Sequence, residues 1–135
     1  MKEELQKAVG MFKPDVIVTH SGKDLHSEHR LLFDEVLLLC RQSGSNSIKT
    51  MLVTASPAVM QARGAYSGSF CPNVFFDISK YAFDKLEALQ LYKTELPMLH
   101  NDYRSPQAVL DWNKMHGTAC NADYCEPYEL VFTVR

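Results

Sequence analysis

The sequence has no apolar run long enough to cross a bilayer and no excess of positive charge. Its 14 basic and 16 acidic residues are scattered along the chain and give a formal charge of -2, so it offers no basic face that would neutralise nucleic-acid phosphates. The apolar runs fall short of the roughly 18 residues of a membrane-spanning helix. The amino-terminal stretch is charged and amphipathic, unlike a signal peptide. We therefore predict a cytoplasmic protein with no nucleic-acid partner and no transmembrane segment.

Cysteine is also scarce, with four residues in a chain of 135. Because 46% of the residues are hydrophobic, a chain of this length can bury a core without disulfide bonds. Cys120 and Cys125 are followed by no second Cys or His pair of matching spacing, which favours inert thiols over a structural zinc site. No linker, internal repeat or low-complexity tract divides the chain. We predict a single domain over residues 1–135.

Alternating helical and strand patterns predict the α/β class. Helices are expected over residues 3–12, 27–42, 81–94 and 107–116. Strands are expected over residues 15–20, 48–54, 74–78 and 128–135, and the stretch 55–73 has no clear period and is expected to be mainly loop. Ser79 and Ser105 are predicted helix caps, and Gly117 is a predicted stop signal. The first strand, helix and second strand are in the order of a right-handed crossover unit.

The segment that carries chemistry follows the first predicted strand. Residues 19–30 are Thr-His-Ser-Gly-Lys-Asp-Leu-His-Ser-Glu-His-Arg, and open α/β sheets bind ligands beyond the carboxyl ends of their strands. His26 lies just before the predicted helix and His29 in its first turn, so both imidazoles can face one crevice. Two imidazoles and the carboxylate of Asp24 suit metal-assisted hydrolysis, with one neutral histidine as ligand and the carboxylate orienting an imidazole.

The same residues also suit a solvent-exposed helix start. Acidic side chains favour the first turn of a helix, and a His-x-x-His spacing is common by chance. The other histidines have weaker claims to a site. We interpret His20 as a structural histidine at the strand's end, His100 as a loop residue and His116 as a residue near a helix carboxyl terminus, where the dipole favours it.

Taken whole, this segment resembles the second signature of the PIG-L/LmbE-like N-deacetylases. The strand Pro-Asp-Val-Ile-Val-Thr-His, a short loop and then Asp-Leu-His-Ser-Glu-His-Arg are similar to the family's strand and its Asp-x-His-x-Asp-His. Residues 72–78, 85–92, 116–117 and 124–128 are similar to the family's later strand, helix and ending. The resemblance covers nearly the whole chain. It implies the C-terminal portion of a Rossmann-like three-layer domain with a mainly parallel sheet.

The resemblance also implies a function and a set of roles. The protein would be a zinc-dependent hydrolase that removes an acyl group from an N-acetylated sugar or glycolipid. His29 would be a metal ligand, and His26 would stabilise the oxyanion and act as general acid, with Asp24 as its charge partner. Glu28 replaces the family's Asp at a position that is not a ligand, and Glu126 would serve structure.

The sequence departs from the family at one point. It contains no His-Pro-Asp-Asp-like stretch, which in the family follows the first strand and supplies two further ligands and the general base. One imidazole neither fixes tetrahedral geometry nor holds a metal tightly. We expect this chain alone to be inactive, to bind zinc weakly or not at all, and to lack the family's first strands.

Two expectations remain open beside the enzyme. A non-catalytic α/β binding or assembly module derived from the same fold is the alternative function. A sheet edge left open where the family's first strands lie would favour a homo-oligomer or pairing with a missing N-terminal portion.

Overall fold

The computed structural model describes residues 2–41, 47–55, 57, 70–92 and 102–134. The helices in these ranges are α1 (Lys2–Phe12), α2 (Ser27–Arg41), α3 (Ala82–Gln90) and α4 (Pro106–Cys120). The strands are β1 (Val16–His20), β2 (Thr50–Thr54), β3 (Val74–Asp77) and β4 (Cys125–Thr133). Each matches a predicted element, with bounds that shift by a few residues. Most of the stretch 55–73, the end of the predicted helix 81–94 and His100 lie outside the described residues.

The four strands form one sheet in the order β1-β2-β4-β3. β1 and β2 are parallel, with Val16 opposite Thr50, as expected for a crossover through the single helix α2. β4 runs antiparallel to both β2 and β3. The α/β class is confirmed, but the prediction of a mainly parallel sheet is wrong for the described strands. The reason is that the chain leaves the sheet at the end of β3 and re-enters it at the same end, where Cys125 at the start of β4 pairs with Asp77. Two neighbouring strands joined in this way run in opposite directions.

The main core lies between α2 and the centre of the sheet. Val36 of α2 packs with Met51 and Val53 of β2, and all three are buried. Leu52 faces the other side of the sheet and is buried as well, because β2 is an inner strand. β1 lies at the edge of the sheet that the described strands form, and its Val18 is 49% exposed.

Helix α4 begins as the sequence predicts and ends later. The Ser105 hydroxyl accepts a hydrogen bond from the N–H of Ala108 at 3.1 Å, which caps the helix. Gly117 does not end it. The helix runs to Cys120 and stops at Asn121, whose φ of 56° is left-handed. Gly117 is buried, and a Cβ there would lie 2.6 Å from the carbonyl oxygen of Ala122, so the glycine allows the chain to fold back against its own helix.

Helix α3 begins without the predicted serine cap. Tyr81 occupies the N-cap position and makes no side-chain capping bond. Ser79 instead donates from its hydroxyl to the carboxylate of Asp77 at 2.6 Å and forms a turn after β3.

Within the described ranges, every helix lacks the length or the apolar character that a membrane crossing requires.

The cysteines are free thiols in the structure. Cys125 is buried at the start of β4. Burial, followed by a hydrogen bond with Cys120, raises the pKa of the Cys125 thiol, which leaves it protonated and unreactive at neutral pH.

Candidate metal centre

A tight loop between β1 and α2 brings the histidines of the motif back to the end of β1. The N–H of Asp24 donates to the carbonyl of Ser21 at 3.1 Å, and the buried Ser21 hydroxyl accepts from the N–H of Lys23. A Cβ at Gly22 would lie 2.6 Å from the ring of Phe33, so a larger residue at this position would require the Phe33 ring to move. The loop therefore places Asp24 beside the last residue of β1.

Three potential ligand side chains meet at this point. One donor atom each from His20, Asp24 and His29 lies within 4.8 Å of the others. Asp24 Oδ2 is 2.9 Å from His29 Nδ1, and Asp24 Oδ1 accepts the backbone N–H of His26 at 2.9 Å. The rings of His20 and His29 stack with centroids 3.9 Å apart and an angle of 3° between their planes.

The charge states of these groups follow from their surroundings. Burial alone would raise the pKa of Asp24, but the hydrogen bonds from the His26 N–H and from His29 outweigh it and hold the pKa below its usual value. An ionised carboxylate only accepts hydrogen bonds, so His29 donates from Nδ1. In the neutral tautomer with this proton on Nδ1, Nε2 carries the lone pair that a metal needs. Burial and then the neighbouring His29 lower the pKa of His20, which favours a neutral imidazole.

The three side chains form part of the wall of a cleft of about 260 Å³. Described residues from the end of β2 and just after it, from α3, from α4 and from β4 also line the cleft. The apolar part includes Val109, Trp112 and Pro127. A largely apolar cleft with a few convergent polar groups is the usual form of a small-molecule site.

A second polar group in the lining is centred on Lys85 of α3. Its Nζ donates to the carboxylate of Glu126 and, at 3.1 Å, to Oδ1 of Asn113. Tyr128 donates from its hydroxyl to the other carboxylate oxygen of Glu126 at 2.7 Å. Burial would raise the pKa of Glu126, but the hydrogen bonds from Lys85 and Tyr128 keep it below its usual value. Burial and then Glu126 raise the pKa of Tyr128.

The predicted site residues differ in their position relative to the cleft. His29 and Asp24 line the cleft. His26 is exposed, and its ring centroid lies 4.9 Å from that of His29 at 46°. Asp24 was expected to pair with the ring of His26, but its carboxylate contacts the ring of His29 and only the backbone of His26.

Sequence reasoning gave no site role to three residues that line the cleft, His20, Lys85 and Glu126. The position of His20 as the last residue of β1 was the available signal, because open α/β sheets bind ligands at that end of their strands. Lys85 and Glu126 are far apart in sequence, and no local pattern joins them.

No family model matches the sequence, and no curated protein matches it. Solved structures share its fold. The conserved protein TT1542 from Thermus thermophilus superimposes with a TM-score of 0.70 and 18% identity, over 99% of this chain and 59% of that one. GalB, the 4-carboxy-2-hydroxymuconate hydratase from Pseudomonas putida, gives 0.68 and 16%, over 99% and 59%.

A third structure, the N,N'-diacetylchitobiose deacetylase from Pyrococcus horikoshii, gives a TM-score of 0.66 and 16% identity, over 96% of this chain and 50% of that one. These likenesses show that the chain shares the fold of a hydratase and of a deacetylase, in agreement with the fold that the resemblance implies. At such identities they show the fold alone. The chain spans between half and three fifths of the length of each of these structures.

Proposed function

We propose that the protein is a metal-dependent N-deacetylase acting on an N-acetylated sugar or glycolipid, and that this chain carries part of the active site. The observation that carries the proposal is the pair formed by Asp24 Oδ2 and His29 Nδ1 at 2.9 Å in the wall of the cleft. A carboxylate on one nitrogen of an imidazole is the usual arrangement around a metal-ligating histidine. The shared fold with a deacetylase supports the same reaction class.

The donor set fits zinc. His29 would hold the ion through Nε2, while Asp24 fixes the tautomer and the orientation of the ring. His20 offers a second imidazole within the same 4.8 Å cluster. Zinc, when bound, would polarise the amide carbonyl and lower the pKa of its water to roughly 7.

His26 would act on the substrate rather than on the metal. Its ring is exposed and lies next to that of His29, and an exposed side chain changes rotamer within nanoseconds. From this position it would donate a hydrogen bond to the oxyanion and deliver a proton to the leaving amine. The general base and the remaining ligands would come from the His-Pro-Asp-Asp-like segment that the sequence lacks.

Zinc calorimetry on the chain tests the metal site. We expect weak binding that His29→Ala abolishes and His26→Ala preserves. Equal zinc affinity in the wild type and in His29→Ala would exclude His29 as a ligand. Tight stoichiometric binding to the chain alone would contradict the proposal that ligands are missing, and would mean that other residues, such as His20 or those of a second copy of the chain, complete the site.

An activity assay separates the enzyme from its alternative. We expect no hydrolysis of N-acetylglucosamine by the chain alone, and metal-dependent hydrolysis when a segment with the His-Pro-Asp-Asp motif is supplied by fusion or in trans. In that complemented protein His26→Ala should lower turnover without releasing the metal. A complemented protein that binds no metal and stays inactive would favour the non-catalytic binding or assembly module.

A further inference from the structure

The polar group on α3 and β4 has no role in the chemistry above, yet it forms part of the same cleft. We propose that Lys85 is a specificity-determining residue that donates a hydrogen bond to an uncharged oxygen of the ligand, and that its pairing with Glu126 excludes a carboxylate at this position. The inference deepens the proposed function, on which it rests, by defining which polar group the substrate presents to this part of the cleft.

Lys85 has more hydrogen-bond donors than protein acceptors among the described residues. A lysine ammonium group has three N–H donors. Among the described residues Lys85 uses them on two acceptors, Glu126 and Asn113. Both acceptors are fixed. Asn113 is buried and donates in turn to the carbonyl of Cys125 at 2.9 Å, and Glu126 accepts from the hydroxyl of Tyr128 at 2.7 Å. Because Lys85 lines the cleft, its third N–H, which has no acceptor among the described residues, can donate to a bound molecule.

The second step concerns charge. Glu126 is ionised beside Lys85, so the pair has no net charge. A ligand carboxylate that accepted from Lys85 would lie within a few ångströms of the carboxylate of Glu126, and like charges at that separation repel each other. A neutral hydroxyl or carbonyl oxygen is therefore the better partner for Lys85.

The third step is the apolar surface nearby. Trp112 is almost completely buried and its orientation is fixed by His116, whose ring meets the indole edge to face with centroids 4.4 Å apart. Val109 and Pro127 line the cleft beside it. A rigid apolar wall next to one available donor suits a ring that has an apolar face and hydroxyl groups at its edge.

A matched pair of probes tests the charge preference. N-acetylglucosamine and its 6-carboxylate, N-acetylglucosaminuronic acid, differ in one group that is neutral in the first and anionic in the second. We expect calorimetric or NMR titration in chelator-treated, zinc-free buffer to show at least about tenfold tighter binding of the neutral sugar, the effect of roughly one misplaced charge in a partly buried site. Equal or tighter binding of the uronic acid would overturn the proposal, and so would the absence of saturable binding of either probe.

Substitutions test the residues. Lys85→Met keeps the approximate length and the packing of the side chain but removes the donor. It should weaken binding of the neutral sugar about tenfold, as expected for the loss of one hydrogen bond from a charged donor. Lys114→Met is the control, because Lys114 is exposed on α4, and should bind as the wild type does. Unchanged binding by Lys85→Met would remove Lys85 from the subsite.

Glu126→Gln tests the exclusion of anions. It keeps an oxygen for Lys85 to donate to but removes the negative charge, and should shift the preference toward the uronic acid by about tenfold. An unchanged preference in a variant whose circular dichroism shows a folded protein would contradict the role of Glu126. If the variant does not fold, the wild-type preference and Lys85→Met still decide.

The outcome is independent of the metal site, because the titrations contain no zinc. Sugar binding as described by a chain that binds no zinc at His29 would contradict the proposed hydrolase and leave the subsite intact. Zinc binding through His29 without discrimination between the two sugars would do the reverse.

Discussion

A single carboxylate, that of Asp24, orients the proposed ligand His29. Asp24→Asn would keep the shape of the side chain but remove its charge, so the imidazole would be less basic and its tautomer no longer fixed. We expect zinc affinity to fall roughly 10- to 100-fold, the usual cost of losing such a partner. Competition with a chromophoric chelator measures it, with Asp34→Asn, at an exposed position of α2, as the control. An affinity equal to that of the wild type would show that Asp24 does not orient His29.

His116 gives a prediction of pH dependence. Burial lowers its pKa, and its Nε2 has no hydrogen-bond partner among the described residues. The unfolded chain therefore binds a proton more readily than the folded one, and the stability present above the unfolded pKa of about 6.5 is lost as the pH falls below it. We expect the Tm of the wild type to drop more between pH 7.5 and 5 than that of His116→Leu. Parallel Tm curves for the two proteins would contradict the assignment.

Local sequence signals identified Asp24 and His29 but not their pairing. The spacing of the motif predicts that both histidines are near the start of α2, yet the first turn of a helix offers more than one direction to a side chain. The N–H of His26 is held by Asp24, and its ring is exposed. The bond between Asp24 and the backbone of His26, together with the stacking of the His29 ring on His20 of β1, decides which imidazole faces the cleft. The spacing of the motif cannot predict a contact with another strand.

At the level of elements, the packing of the turn after α4 depends on Gly117. Alanine has the better helix propensity, by about 1 kcal/mol, but its Cβ would lie 2.6 Å from the backbone of Ala122 and 2.8 Å from that of Asp123. Backbone that leads directly into β4 cannot move as a side chain would, so the clash outweighs the gain. We expect Gly117→Ala to lower the free energy of unfolding by about 1–3 kcal/mol in a urea titration.

Gly10 of α1 is the matched control. A Cβ there meets nothing within 4 Å, so Gly10→Ala should raise the free energy of unfolding by about 0.5–1 kcal/mol. If both substitutions stabilise the protein, the close approach at Gly117 is not a constraint.

The two ends of α4 show which helix boundaries a sequence predicts. The start depends on Ser105 and Pro106, whose effects are confined to the first turn, and it was predicted correctly. The end was placed at Gly117 because glycine usually follows a helix. Here the glycine serves a contact between α4 and the chain that follows it, and Asn121 adopts the left-handed conformation that ends the helix. Tertiary contacts of this kind leave no periodic pattern.

At the level of the whole molecule, the elements and the α/β class follow from hydrophobic periodicity, whereas strand direction does not. One crossover helix between β1 and β2 makes that pair parallel. The return of the chain through α3 and α4 to the end of β3 makes β4 antiparallel. The same return brings Lys85, Asn113 and Glu126 together. The antiparallel direction of β4 and the polar group around Lys85 were both missed in the sequence. Both follow from the return of the chain to the end of β3.

The position of β1 leads to the last prediction. β1 is an edge strand among the strands that the structure describes, and its Val16 and Val18 are 46% and 49% exposed. An uncovered edge with apolar side chains is a template for pairing with another strand, and a second copy of the chain can supply it. We expect the weight-average mass in sedimentation velocity to rise with protein concentration, and Val18→Lys to suppress that rise, because a lysine on an edge strand opposes pairing.

The control for this prediction is Val131→Lys. Val131 is also exposed, at 39%, but it lies on β4, which β2 separates from β1 in the strand order β1-β2-β4-β3. The same substitution there adds the same charge and leaves the edge of the sheet unchanged, so self-association should persist. A mass that stays monomeric at every concentration would show that copies of the chain do not pair through β1. Equal suppression by both variants would mean that added charge, rather than the β1 edge, controls the association.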